Sequence, residues 1–435
     1  MSTNGNGGWI GWSWMGVLGL SLSVPGVPSS AGAPKTGAFV VRHARIFDGQ
    51  RLLSTRDVWV EDGRIRAIGE GLRTPPGTSE VDATGSTLLP GLIDAHTHDW
   101  GESTKQALLF GVTTELNQAG PPAFVAERKR AEADGKAFDS ADLLSAGNVV
   151  TPPKGHGTEY GLTVPTLSNA DEAQAFVDAR IAEGSDYIKM ILEDGHACGR
   201  EFARLSNEEL AAAVAAAHAR GKLAIVHITT QDDARLAIEA GADGIAHLFA
   251  DAPPRSDVIA LLARRHAFAI TTLTVTQSVL GTLSGPLLLA DPRMAAAVSP
   301  EAEAQLRKPM SMRCVGSLDN AFAAIKEMRT AGVPILAGTD SPAPGSWNGA
   351  SLHQELELLV QAGLSPSEAL SAATSVPART FGLKDRGRIA PGLRADLLLV
   401  HGDPTRDITA TRDIVGVWKA GKLLELLPAP VRSPP

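Results

Sequence analysis

Five apolar, strand-like runs in this chain end on or carry a residue that could hold a metal. The run 88–98 closes on His96-Thr97-His98. Alternate side chains of a strand share a face, so His96 and His98 can approach one cation together. The runs 224–227 and 245–247 end on His227 and His247; singly, each is as compatible with a hydrogen-bonded core histidine as with a ligand. The run 334–340 delivers Asp340, and an Asp after a strand is ordinarily a helix N-cap. Tyr187-Ile188-Lys189-Met190-Ile191 sets a lysine inside a strand. Burial there favours the neutral amine, which can take up carbon dioxide and become a carbamate whose two oxygens bridge two metals. The plainer reading pairs Lys189 with Asp186 or Glu193. Together, His96, His98, Lys189, His227, His247 and Asp340 form one constellation of metal-binding chemistry. Cys198 and Cys314 make no CxxC pair and read as free thiols. A metal would therefore rest on His and carboxylate ligands, which suit zinc, manganese, cobalt or iron.

Such residues need a scaffold that gathers strand ends. Apolar runs ending near Ala95, Thr114, Leu144, Met190, Ile228, Phe249, Thr272 and Gly338 alternate with helical segments such as 208–220 and 317–331. This pattern predicts an α/β fold, a (β/α)₈ TIM barrel over residues 90–386, with a doubly wound sheet as the alternative. Barrel active sites lie at the C-terminal strand ends, where the candidate ligands fall. The 274–316 connection is long for a barrel loop and reads as a lid or an interface element. Short β-prone runs flank this region, with a hairpin turn at Glu61-Asp62-Gly63-Arg64. Residues 37–89 and 387–427 are each too small for a core, so they predict one composite β-sandwich built from both termini.

The chain has 435 residues, 43% hydrophobic and 20% charged, with a formal charge of −8 and no basic run. That composition fits a globular protein and argues against nucleic-acid or anionic-membrane partners; a small-molecule substrate is expected. The first charged side chain is Lys35, and an apolar stretch at 9–24 precedes Ala31-Gly32-Ala33. Residues 1–33 therefore read as a signal peptide, implying export to the periplasm or beyond and no stable membrane insertion. The missing basic residue before the apolar stretch supports the alternative, a disordered leader on a cytoplasmic protein.

The motif Pro90-Gly91-Leu92-Ile93-Asp94-Ala95-His96-Thr97-His98, with Lys189, His227, His247 and Gly338-Thr339-Asp340, resembles the amidohydrolase superfamily. The resemblance covers residues 37–427 and is nearest to the branch of imidazolonepropionase-like enzymes, Xaa-Pro dipeptidases and ochratoxin-degrading amidases. It implies two divalent ions, zinc by expectation. His96, His98 and Asp340 would hold the more buried ion, His227 and His247 the more exposed one, and carbamylated Lys189 would bridge them. A metal-activated hydroxide would cleave an amide or related carbon–nitrogen bond, with Asp340 moving the proton. His156, in Lys154-Gly155-His156-Gly157, is implied as a catalytic or substrate-binding group, and Tyr160 in the same loop as a substrate contact. Residues 113–117 read Thr-Thr-Glu-Leu-Asn where many relatives have V-R-D, which removes an arginine that could meet a substrate carboxylate. His353 is expected to be structural. The competing readings are a mononuclear deaminase or cyclic-amide hydrolase, and a lactonase or organophosphate hydrolase using the same site. A scaffold without chemistry would have lost ligands, and all six are present. By analogy with relatives, a homo-oligomer is possible.

Overall fold

The computed structural model describes residues 37–161 and 163–424; the expected leader at 1–33 and the last residues of the 387–427 segment lie outside them. The two ends of the described chain pair in one sheet. From the N-terminal side come β1 (Phe39–Phe47), β2 (Leu52–Glu61), β3 (Arg64–Gly69), β4 (Ser79–Asp82) and β5 (Ser86–Pro90). The hairpin turn between β2 and β3 holds Asp62 and Gly63 at positive φ, as a type I′ connection requires.

Eight short strands follow: β6 (Leu92–Thr97), β7 (Val112–Asn117), β8 (Asp142–Ser145), β9 (Ile188–Ile191), β10 (Ala224–His227), β11 (Gly244–Ala246), β12 (Phe268–Ile270) and β13 (Ile335–Leu336). They are parallel within two sheets, β6-β7-β8 and β13-β12-β11-β10-β9. Hydrogen bonds join these sheets at both edges. Val150 N–H donates to Lys189 O at 2.8 Å on one side, and Ala95 N–H donates to Ala337 O at 2.9 Å on the other. The helices 208–220 and 317–331 expected from periodicity are present as Asn207–Ala219 and Leu318–Thr330, N-capped by Ser206 and Ser317. Alternate strand residues divide between two cores. Ile93, Leu116, Ile225 and Ile270 pack together between strands, whereas Leu92, Val226, Ile245 and Ala269 pack with the helices.

The chain returns through β14 (Leu397–His401), β15 (Ile414–Lys419) and β16 (Lys422–Leu423). β14 pairs antiparallel with β5, so the terminal segments form one eight-stranded sheet, as the composite reading requires. The 274–316 connection is a group of short helices, Leu273–Val279, Ser284–Leu289, Pro292–Ala297 and Pro300–Leu306. It has a core of its own, in which Leu288, Leu289, Met294 and Leu306 pack with Phe110 and Ala350.

One expectation fails. Cys198 and Cys314 are not free thiols but a disulfide across 116 residues. The loop after β9 and the end of the 274–316 connection meet, with Val315 N–H donating to Ala197 O at 2.7 Å. Spacing alone could not reveal a pair made by two distant loops.

Candidate metal centre

Left-handed backbone follows three of the strand ends, at two of the candidate ligands and at Thr272. His247, Thr272 and Asp340 have φ of 70°, 45° and 60°, the left-handed region that non-glycine residues seldom occupy. They follow the ends of β11, β12 and β13, which close at Ala246, Ile270 and Leu336. Strands β10 to β13 end one to three residues earlier than expected, and β6 to β9 run one to three residues further. Backbone strain of this kind is concentrated at functional sites.

The carboxylate of Asp340 lies between two imidazoles, with Oδ1 3.1 Å from His96 Nε2 and 2.9 Å from His98 Nε2. It is no N-cap, since the next helix begins at Ala350. The His96 ring is 4.6 Å from that of His247, which is 4.4 Å from His227. Asp94 secures the base of the group. Its carboxylate accepts from Thr339 Oγ1 at 2.7 Å and from the backbone N–H groups of Thr339 and His96, both at 3.1 Å.

Lys189 is buried on β9. Asp186 takes Lys129 at 2.8 Å and Glu193 takes His227 at 3.0 Å. Neither therefore neutralises Lys189, and no described side chain hydrogen-bonds or ion-pairs with its amine. Burial pushes its pKa down to about 7, against a smaller pull upward from Asp340. For His96, burial and then the charge of Lys189 push the pKa down to about 3. Burial alone would raise the Asp340 carboxyl, but His96 and His98 hold it well below the usual range.

The donor set fits divalent cations. Both His96 ring nitrogens are buried, Nε2 facing only the Asp340 carboxylate and Nδ1 without a hydrogen-bond partner, a costly state for an imidazole with nothing further to bind. His98 Nδ1 lies 3.0 Å from Ala119 O and His247 Nδ1 lies 2.7 Å from Thr272 Oγ1. When Nδ1 donates in both, each Nε2 keeps its lone pair. Donor atoms of His96, His247 and Asp340 all lie within 4.8 Å of one another.

His156 stands beside this group, its ring 5.2 Å from His227. Its Nδ1 is 2.7 Å from Glu159 Oε1 and 3.6 Å from Glu193 Oε1. Burial disfavours a charged ring, yet the two carboxylates outweigh it and raise the pKa above the ordinary histidine value. Tyr160 is 64% exposed and sits edge-on to His156, with centroids 5.9 Å apart; Phe202 lies 5.2 Å from the same ring. Glu115 and Asn117, from the segment that departs from V-R-D, are fully buried and bond to Asn348 and Asp99. They offer a substrate nothing. His353 is remote and structural as expected, with Nε2 3.0 Å from Phe110 O and Nδ1 3.0 Å from Thr411 Oγ1. Sequence reasoning missed Glu159 and gave Glu193 only as a partner for Lys189. The one available signal was that both acids fall in the loops after strands already singled out.

Residues 87–424 match the amidohydrolase family. The chain belongs to that family. As an amidohydrolase it is an enzyme, a hydrolase acting on carbon–nitrogen bonds. It is 27% identical over 421 residues to an imidazolonepropionase of Cereibacter sphaeroides, an alignment spanning 90% of this chain and 96% of that protein. Among solved structures it is similar to a putative prolidase from Bifidobacterium longum (TM-score 0.72, 25% identity, 92% of this chain and 97% of that one). It also shares its fold with a Xaa-Pro dipeptidase with bound methionine (TM-score 0.71, 22% identity, 89% and 100% covered). These neighbours imply a TIM-barrel fold for the α/β body of this amidohydrolase. Among the described residues no helix is long and apolar enough to cross a membrane.

Proposed function

We propose that this amidohydrolase cleaves an amide or related carbon–nitrogen bond of a small molecule, using two divalent cations, zinc by preference, at one end of a closed (β/α)₈ barrel. The observation that carries the reading is the convergence of His96, His98, His247 and Asp340, with the buried His96 Nδ1 left without a hydrogen bond and the buried Lys189 amine without a hydrogen bond or ion pair among the described residues. His96, His98 and Asp340 would hold one ion, and His227 and His247 the other. Lys189, its pKa pushed down to about 7 by burial so that a large share of the amine is neutral near pH 7, would bridge them as a carbamate. Bound there, the cations would polarise a substrate carbonyl and lower the pKa of a bound water toward about 7. Asp340 accepts the proton of the attacking water and passes it to the departing nitrogen. His156, held by Glu159, donates to the carbonyl oxygen on which charge develops. The carbon–nitrogen bond breaks to give an acid and an amine, and Tyr160 flanks the substrate at the mouth.

In the same reading residues 90–386 are the barrel, and residues 37–89 with 387–427 are a composite β-sandwich. The Cys198–Cys314 disulfide supports residues 1–33 as a signal peptide, because such bonds persist in oxidising compartments. The runner-up is a mononuclear deaminase or cyclic-amide hydrolase. One observation favours it: His227 Nε2 faces Glu193 rather than the His96, His247 and Asp340 group. A panel of N-acyl amino acids, dipeptides, cyclic amides and matched esters tests the reaction class. Amide cleavage that Lys189→Ala reduces at least about 10³-fold is expected. Ester cleavage alone, or full amide activity in Lys189→Ala, would contradict the proposal.

A further inference from the structure

We infer that Glu193 is a positioning residue, one carboxylate that orients His227 toward a metal and His156 toward the substrate at the same time. The inference rests on the binuclear reading above and adds a residue that the six-ligand constellation leaves out. Glu193 lies two residues beyond the end of β9 and is 8% exposed. Its Oε2 is 3.0 Å from His227 Nε2 and also accepts from Thr229 Oγ1 in a short bond. An ionised carboxylate only accepts. The proton of a neutral His227 ring is therefore on Nε2, and Nδ1 carries the lone pair.

His227 is thus the reverse of His98 and His247, whose Nδ1 atoms face a carbonyl and a hydroxyl and whose Nε2 atoms are left as donors. The carboxylate differs from those partners in charge. It makes the attached imidazole a better electron donor, and it fixes the ring plane. The other oxygen of Glu193, Oε1, is 3.6 Å from His156 Nδ1, which Glu159 also engages. With Nδ1 bonded to Glu159 and faced by the Glu193 charge, Nε2 is the atom of His156 open to a substrate. A shift of Glu193 would therefore disturb both a metal ligand and a substrate contact.

The rival use of the same atoms is direct ligation, since donor atoms of His156, Glu193 and His227 lie within 4.8 Å of one another. His227 Nε2 already bonds Glu193 and His156 Nδ1 already bonds Glu159, so these atoms are engaged without an ion, which favours positioning. The test strips the full-length enzyme with chelator and titrates it with cobalt(II), reading the visible spectrum and competition with a chromophoric chelator. Wild type is compared with Glu193→Ala and Glu193→Gln. Positioning predicts that Glu193→Ala leaves one equivalent unchanged and weakens the other about 10- to 100-fold. Glu193→Gln, which keeps an acceptor oxygen, should lose less. The unchanged equivalent doubles as the control for folding. Wild-type affinity for both equivalents and an unaltered cobalt spectrum in Glu193→Ala would overturn the inference. So would a third equivalent in wild type that the variant lacks, which would make Glu193 a ligand. A single wild-type equivalent weakened by Glu193→Ala would overturn only the binuclear reading, and one that the variant leaves untouched would overturn both.

Discussion

At the residue scale, the centre depends on atoms that approach closely enough to fix one another. Gly338 illustrates this. A Cβ there would meet Ile270 Cγ2 at 2.6 Å, His96 Cβ at 2.8 Å and His96 N at 3.0 Å. The last of these is backbone that cannot swing aside, so a methyl group must push β6 away from the end of β13. Gly338→Ala is expected to cost about 1–3 kcal/mol, as overpacking of a filled core does. It should also weaken metal retention, because His96 is the residue displaced. Urea unfolding together with dialysis against a mild chelator checks both; unchanged stability and metal retention would refute the account of His96. The six ligand candidates were legible because each follows an apolar run that only a strand explains. Glu193 and Glu159 were not. Their roles arise where the loops after β8 and β9 meet β10, a proximity that no local spacing encodes.

At the scale of elements, the loops over the strand ends are tied to each other. Ala203 N–H donates to Lys154 O at 3.1 Å, joining the loop that carries His156 to the loop that carries Glu193. The Cys198–Cys314 bond joins the second of these loops to the end of the 274–316 connection. Closing a loop of this length restricts the unfolded chain, so the double variant Cys198→Ser/Cys314→Ser should lose about 2–4 kcal/mol of stability. A thiol titration of the unreduced, denatured protein should find no free thiol; two free thiols would remove the bond from the account. The eight strands and the two helices were readable from periodicity. Strand ends were not: the left-handed backbone that follows them at His247, Thr272 and Asp340 is announced by nothing in those residue types. The disulfide escaped for the same reason as Glu193, being a contact between distant loops.

At the scale of the whole molecule, the helix Ala350–Gln361 connects the parallel-stranded body to the C-terminal segment through His353. Its ring, between Phe110 O and Thr411 Oγ1, is buried, and burial holds its pKa down to about 4 from 6.5. The folded protein favours the neutral ring, so between pH 4 and 6.5 the unfolded chain binds more protons. The contribution is present in full above about pH 6.5 and is lost as pH falls toward 4; 2.5 pH units correspond to about 3 kcal/mol. Urea denaturation across that window should show a shallower fall in stability for His353→Gln than for wild type. Identical slopes would mean that His353 is not buried in its neutral form. The expectation from sequence was a composite β-sandwich of both termini; the structure shows the two termini paired in one eight-stranded sheet.

The central claim is that this amidohydrolase holds two metal ions, and plasma mass spectrometry of full-length protein purified without chelator tests it most directly. The account predicts about two equivalents of zinc or another divalent ion per chain. One equivalent, unchanged after incubation with metal and bicarbonate, would contradict it and leave the mononuclear enzyme in its place.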